Sequence, residues 1–120
     1  MSNPVKEKSF NFSIRIVNLY KYLTEEKAEY ILSKQLLKSG TSICANVSES
    51  QAAQSNSDFI AKLHIAFKEA LETKYWLELL VATDYLTEQQ GISMLRDCEE
   101  IGNLLASIIK TSKSKNEKEN

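Results

Sequence analysis

Few residues in this chain have the types and spacing for chemistry. His64 is its single histidine, Cys44 and Cys98 are its two cysteines, and Glu69 and Glu72 stand three positions apart. A di-metal carboxylate centre in a helical bundle needs inward-facing glutamates and paired Glu-x-x-His motifs. The residue three before His64 is Ala61, so that motif is absent. Glu69 and Glu72 share a helix face, but it lies opposite the main apolar stripe and points away from a bundle core. One histidine supports no Ser-His-Asp or Cys-His set, and no Gly-rich phosphate loop occurs. His64 reads as a half-buried, hydrogen-bonded flank residue. The cysteines lack C-x-x-C spacing and read as free buried thiols acting as small apolar residues. The expectation is therefore no catalytic residue, no metal or cofactor, no small-molecule substrate and no enzyme.

Composition narrows the class further. The chain has 120 residues, enough for one domain, with 42% hydrophobic and 26% charged residues and a net charge of −1. One proline and three glycines are few for a strand-rich fold, which uses both in its turns. The sequence pI of about 5.9 lacks the basic excess usual in proteins that bind nucleic acid through phosphate. No apolar run approaches the roughly 20 residues of a membrane span. The N-terminus MSNPVKEKSF has no apolar signal-peptide core. A cytoplasmic protein without a membrane partner is expected.

The elements that would carry these residues are four helices. Helix periodicity predicts spans of about 6–24, 28–53, 56–85 and 88–111 within a single domain over 1–113, and a disordered tail over 114–120. Two helix starts have capping-box signatures, Ser55 with Asp58 and Thr87 with Gln90. The expected core stripes are Phe12, Ile16, Leu19, Tyr20 and Leu23 in the first helix, and Leu32, Leu36, Gly40, Ile43 and Val47 in the second. The third offers Phe59, Ile60, Leu63, Phe67, Ala70, Leu71, Leu77 and Val81, with Lys74 snorkelling from within the stripe. Met94, Leu95, Cys98, Ile101, Leu105, Ile108 and Ile109 form the fourth. Gly40 lies mid-stripe, where glycine costs about 1 kcal/mol relative to alanine, so close approach of a neighbouring helix is expected there. Ser39 and Asn46, at the stripe's edge, are placed to bond a facing helix. Short connections between long helices imply an all-α, antiparallel up-down-up-down four-helix bundle.

Such a bundle needs one apolar stripe per helix, and two helices carry a second. On the first helix it is Phe10, Ile14 and Val17. On the third it is Ile65, Trp76 and Leu80, with Glu69 and Glu72 embedded. Leftover apolar faces mark an interface, so these eight residues are the expected contact between copies. A weaker expectation concerns RNA or DNA. Residues 1–55 hold seven Lys/Arg against five Asp/Glu, and Lys6, Lys8, Arg15, Lys21, Lys34 and Lys38 are the candidate phosphate contacts.

The segments SGTSICANVSES (39–50) and DFIAKLHIAFKEALETKYWLELL (58–80) carry a family resemblance. The distinguishing runs are Ser39-Gly40-Thr41-Ser42-Ile43, Ala45-Asn46-Val47 with Glu49, Asp58-Phe59, Lys62-Leu63, Lys68-Glu69-Ala70, Glu72-Thr73 and Tyr75-Trp76-Leu77. The chain resembles, from about Pro4 to Lys113, the four-helix-bundle proteins encoded in intervening sequences of bacterial 23S ribosomal RNA genes. That family is related to the accessory variability proteins of diversity-generating retroelements. The resemblance implies a homopentameric ring of closed bundles, acting as a scaffold or interaction module. Cys44 and Ser50 stand where relatives often have glycine. The retroelement relatives are strongly basic and associate with nucleic acid and a reverse transcriptase. This slightly acidic chain departs from them in charge.

Overall fold

The computed structural model describes residues 3–119, with side chains through residue 115. Four helices follow one another: α1 (Pro4–Glu25), α2 (Leu32–Ser50), α3 (Asn56–Ala82) and α4 (Glu88–Glu119). Each packs antiparallel against its sequence neighbour, and α1 closes the bundle against α4 with the sparsest contact of the four pairs. The bundle is an elongated rod of 53 × 25 × 22 Å, the shape that helices of 19–32 residues dictate at about 1.5 Å per residue.

Local chemistry sets most helix ends. Pro4 occupies the first turn of α1, where its missing N–H costs nothing, and the Asn3 side chain accepts from Lys6 N–H. Ser55 caps α3 by accepting from Asp58 N–H at 3.0 Å. The return bond comes from Gln54 N–H to the Asp58 carboxylate, one residue upstream of the reciprocal partner a capping box uses. At α4 the box is complete: Gln90 N–H donates to Thr87 Oγ1 and Thr87 N–H donates to Gln90 Oε1.

Four boundaries differ clearly from the periodicity. The second helix begins at Leu32, four residues later than expected. Ala28 adopts a left-handed φ of 52° and turns the chain, and Glu29 then supplies the N-terminal acceptor. Its carboxylate receives the N–H groups of Ile31, Leu32 and Ser33 at 3.0, 2.8 and 2.6 Å. The same helix stops at Ser50, where the hydrogen bonding tightens to i→i+3 through Ala53. The third helix ends at Ala82 instead of about 85. Asp84 takes φ 67°, Tyr85 N–H reaches Leu80 O, and Asp84 N–H reaches Val81 O, a Schellman closure made without glycine. The fourth helix overruns its expected end at 111 and continues through Glu119, over most of the stretch expected to be disordered; residue 120 lies outside the described residues. The segment TSKSKNEKE contains no glycine or proline, so an established helix can propagate by one bond per added residue.

The core follows a three- or four-residue spacing on each helix. In α3 the buried positions are Ile60, Leu63, Ala66, Ala70, Thr73, Leu77 and Leu80. This is close to the spacing of left-handed supercoiled packing. The buried arc of α3 is centred on Ala66, Ala70, Thr73 and Leu77, not on Phe59, Phe67 and Val81, and two positions fall on the other side from the expectation as a result. Leu80, expected at the contact between copies, is 0% exposed and belongs to the core. Leu71, expected in the core, is 54% exposed. Lys74 does snorkel, and its ammonium lies 3.5 Å from Glu99 on α4 rather than pairing along its own helix with Glu78.

The Gly40 expectation holds. A Cβ there would lie 2.7 Å from the Ile16 side chain, so α1 rides directly on the α2 backbone. On the other flank of the same turn Ser39 meets α3: Thr73 Oγ1 directs its hydroxyl at Ser39 Oγ (2.9 Å) and at the Glu69 carbonyl (2.7 Å). Asn46, by contrast, donates back to Ser42 O within its own helix. Gly91 is likewise required, because a Cβ would approach Val81 to 2.3 Å. Gly102 has nothing within 4 Å of the same position.

Two predictions follow from these contacts. Gly40→Ala should destabilise by about 1–3 kcal/mol through overpacking, whereas Gly102→Ala should stabilise by about 0.5–1 kcal/mol by improving helix propensity; urea unfolding midpoints that move in the same direction for both would refute the distinction. Burial pushes the Glu29 carboxyl up, but the N–H groups of Leu32, Ser33 and Ile31 together with the Ser33 hydroxyl outweigh it and hold the pKa below the usual glutamate value. A depressed folded pKa contributes stability that is present above the unfolded value of 4.5 and is lost as pH falls through the folded one. Glu29→Ala should therefore cost about 1–2 kcal/mol at neutral pH, as loss of an N-terminal cap does, and the gap from wild type should shrink toward pH 3 in acid-unfolding curves.

Candidate functional site

The residues singled out for chemistry do not converge. His64 is half-buried on α3 and faces α4 across a shallow depression lined by Phe67, Ala106, Ile109, Lys110 and Lys113. No hydrogen bond from its ring is found among the described residues. Cys98 is buried, and its thiol donates to Ala70 O at 3.3 Å. Burial first, and the neighbouring Glu99 second, push its pKa up to about 12, which removes the thiolate needed by a nucleophile. Cys44 is a free buried thiol at the α1–α2 contact, with its sulfur 4.0 Å from Lys6 O. Among the described residues no group of three or more His, Cys, Asp or Glu is placed to hold a metal. Among them also, no helix is long and apolar enough to cross a membrane.

The surface is more informative than the interior. Phe10, Ile14 and Val17 run along the outer face of α1 at 59, 47 and 37% exposure, as expected of the contact stripe. On α3, Ile65 and Glu72 are exposed and Glu69 and Trp76 are half-buried. Burial, and then the Glu72 charge, raise the Glu69 pKa, with Lys38 acting in the opposite sense. The Trp76 indole stacks edge-on to Tyr75 with ring centroids 4.9 Å apart. Its Nε1–H is sealed from solvent and has no acceptor among the described residues. A buried donor left unpaired costs about 1–3 kcal/mol. Seven of the eight expected contact residues thus lie on the surface of α1 and α3, and Leu80 does not.

The six expected phosphate contacts separate into two groups. Lys8 pairs with Glu100, which holds its ammonium above the usual range first by hydrogen bonding and then by charge. Arg15 pairs with Asp97 and also donates to Ser93 Oγ and Ser93 O. Both cations therefore bridge the α1–α4 seam and are not free to meet phosphate. Lys6, Lys21, Lys34 and Lys38 remain exposed on α1 and α2. The seam itself is a groove of about 510 Å³ beside Arg15, Asn18, Tyr22, Gln89 and Ser93. Periodicity could not have found these bridges, because they join residues 82 and 92 positions apart.

An all-α, antiparallel four-helix bundle whose few reactive side chains are dispersed defines the class. The family model described as "23S rRNA-intervening sequence protein" matches residues 1–107, and the chain belongs to that family. Among solved structures it is similar to a protein of unknown function from the S23 ribosomal protein family of Bacteroides thetaiotaomicron VPI-5482. The two are 58% identical and superpose with a TM-score of 0.88, over 88% of this chain and 98% of that one. No curated protein matches this chain.

Proposed function

We propose that the protein is a non-enzymatic scaffold that works as a homo-oligomer, with the outer stripe of α1 on one copy seated against the outer face of α3 on the next. The observation that carries this reading is the unpartnered Phe10-Ile14-Val17 stripe, three apolar side chains at helical spacing that a lone bundle leaves in water. The α3 face supplies what such a stripe needs: apolar Ile65, the half-buried ring of Trp76 and the Glu69–Glu72 pair. Lys6, exposed on α1 near the stripe, offers opposite charge. Because the two faces differ, repetition generates a closed ring or an open filament rather than a two-fold dimer. A ring of five is the assembly implied by the resemblance.

Light scattering on the purified chain tests this directly. A mass near five times 13.6 kDa is expected for the wild type. Ile14→Asp, at a half-exposed position, should give a folded monomer with unchanged helical circular dichroism. A wild type that is monomeric at micromolar concentration would end the proposal.

A second reading, an accessory protein that binds RNA or DNA, keeps four of its six candidate contacts. Lys6, Lys21, Lys34 and Lys38 stand exposed, and oligomerisation would multiply them. Phosphate contacts are strongest at low salt, so a gel-shift series on structured ribosomal RNA is the test. Binding that weakens in Lys34→Glu/Lys38→Glu and falls steeply with salt supports this reading, and no shift at the lowest salt removes it.

A further inference from the structure

The face between α3 and α4 carries a feature that neither oligomerisation nor the internal packing uses. Two depressions, of about 370 and 300 Å³, adjoin there and share Phe67 as a common wall. Together they form a trough floored by Ala70, Cys98, Gly102 and Ala106. Leu71 stands on its rim, 54% exposed and without a partner. The trough runs along α4 from Glu99 to Lys113, which is about 21 Å at the helical rise, or nearly four turns. One end is closed by the Lys74–Glu99 bridge. The other is positive, with Lys110 and Lys113 beside His64.

Gly102 points to what the trough holds. A glycine in the middle of a helix weakens it, and the other two glycines have an internal reason: Ile16 lies over Gly40 and Val81 over Gly91. A Cβ at Gly102 would meet nothing, so the bundle itself gains no packing from the missing side chain. What Gly102 does provide, with Ala106 one turn on, is a bare backbone surface on which another helix can lie closely. An acyl chain would not need that surface. We propose that this trough docks an amphipathic helix of a partner protein, apolar on the facing side and acidic in its last turn. The negative end of that helix's macrodipole and its terminal carboxylates would lie at Lys110 and Lys113. Its apolar ridge would lie over Gly102 against Phe67 and Leu71.

The test uses the full chain and two fluorescent helical peptides of about 18 residues, long enough to span the trough. Both carry the same leucine and phenylalanine face; one ends in glutamates and the other in lysines. Anisotropy should show the acid-ended peptide binding about tenfold more tightly, the change expected from loss of a well-placed contact at an interface. Gly102→Leu should abolish that preference while leaving the melting temperature equal or higher. Lys110→Glu/Lys113→Glu should invert the order of the two peptides. Equal affinity for both peptides, or unaltered binding to Gly102→Leu, overturns the proposal. So does a changed light-scattering mass in Gly102→Leu, which would make the trough a contact between copies. Binding of oleate but of neither peptide overturns it as well. Because Ile14→Asp reports on self-assembly and Gly102→Leu on the trough, failure of one proposal is distinguishable from failure of the other.

Discussion

The approach of two helices to one turn of α2 sets the geometry of the bundle. At Ser39-Gly40 the backbone of α2 is bare on one flank, where Ile16 of α1 rests on it. On the other flank a hydroxyl meets Thr73 of α3. Both interactions need small residues: a methyl at position 40 would collide with Ile16, and a larger group at Ser39 would hold α3 away. Close packing then propagates along both helix pairs, because side chains at three-four spacing can interdigitate only when the axes are near. The residues that approach most closely are thus the smallest ones.

That arrangement leaves an asymmetric surface. The α1–α2, α2–α3 and α3–α4 contacts are apolar and extensive, whereas the α1–α4 seam is sparse and is spanned by Lys8–Glu100 and Arg15–Asp97. Exposed ion pairs of this kind contribute little to stability. They do consume two cations that the composition alone would count toward a basic face. The buried polar groups, by contrast, are satisfied locally: Ser9, Ser33 and Ser50 return hydrogen bonds to carbonyls three or four residues earlier. Trp76 is the exception. Its half-buried ring belongs to the proposed contact on α3, but its unpaired indole donor is turned inward and sealed from solvent.

Much of this was legible from local pattern. The capping signatures at Ser55 and Thr87, the single stripe of α4, the outward face of Phe10, Ile14 and Val17, and the close approach at Gly40 all follow from residue type and spacing. The missed features have two causes. Ala28 and Asp84 take left-handed backbone without being glycine, because the buried carboxylate of Glu29 and the Schellman bonds of Leu80 stabilise the turns around them. Leu80 and Leu71 were exchanged between core and surface because the expected stripe was centred on Phe59, Phe67 and Val81, whereas the neighbouring helices bury the arc through Ala66, Ala70, Thr73 and Leu77.

The amino-acid sequence by itself determined the number of helices, their order, the caps at Ser55 and Thr87 and the family, since these rest on interactions within a few residues or on matched runs of residues. Tertiary structure alone decided which lysines and arginines are free, which side of α3 Leu80 faces and that Gly102 has no internal partner. Those outcomes depend on which side chains stand opposite one another across helices, and local spacing does not encode that pairing.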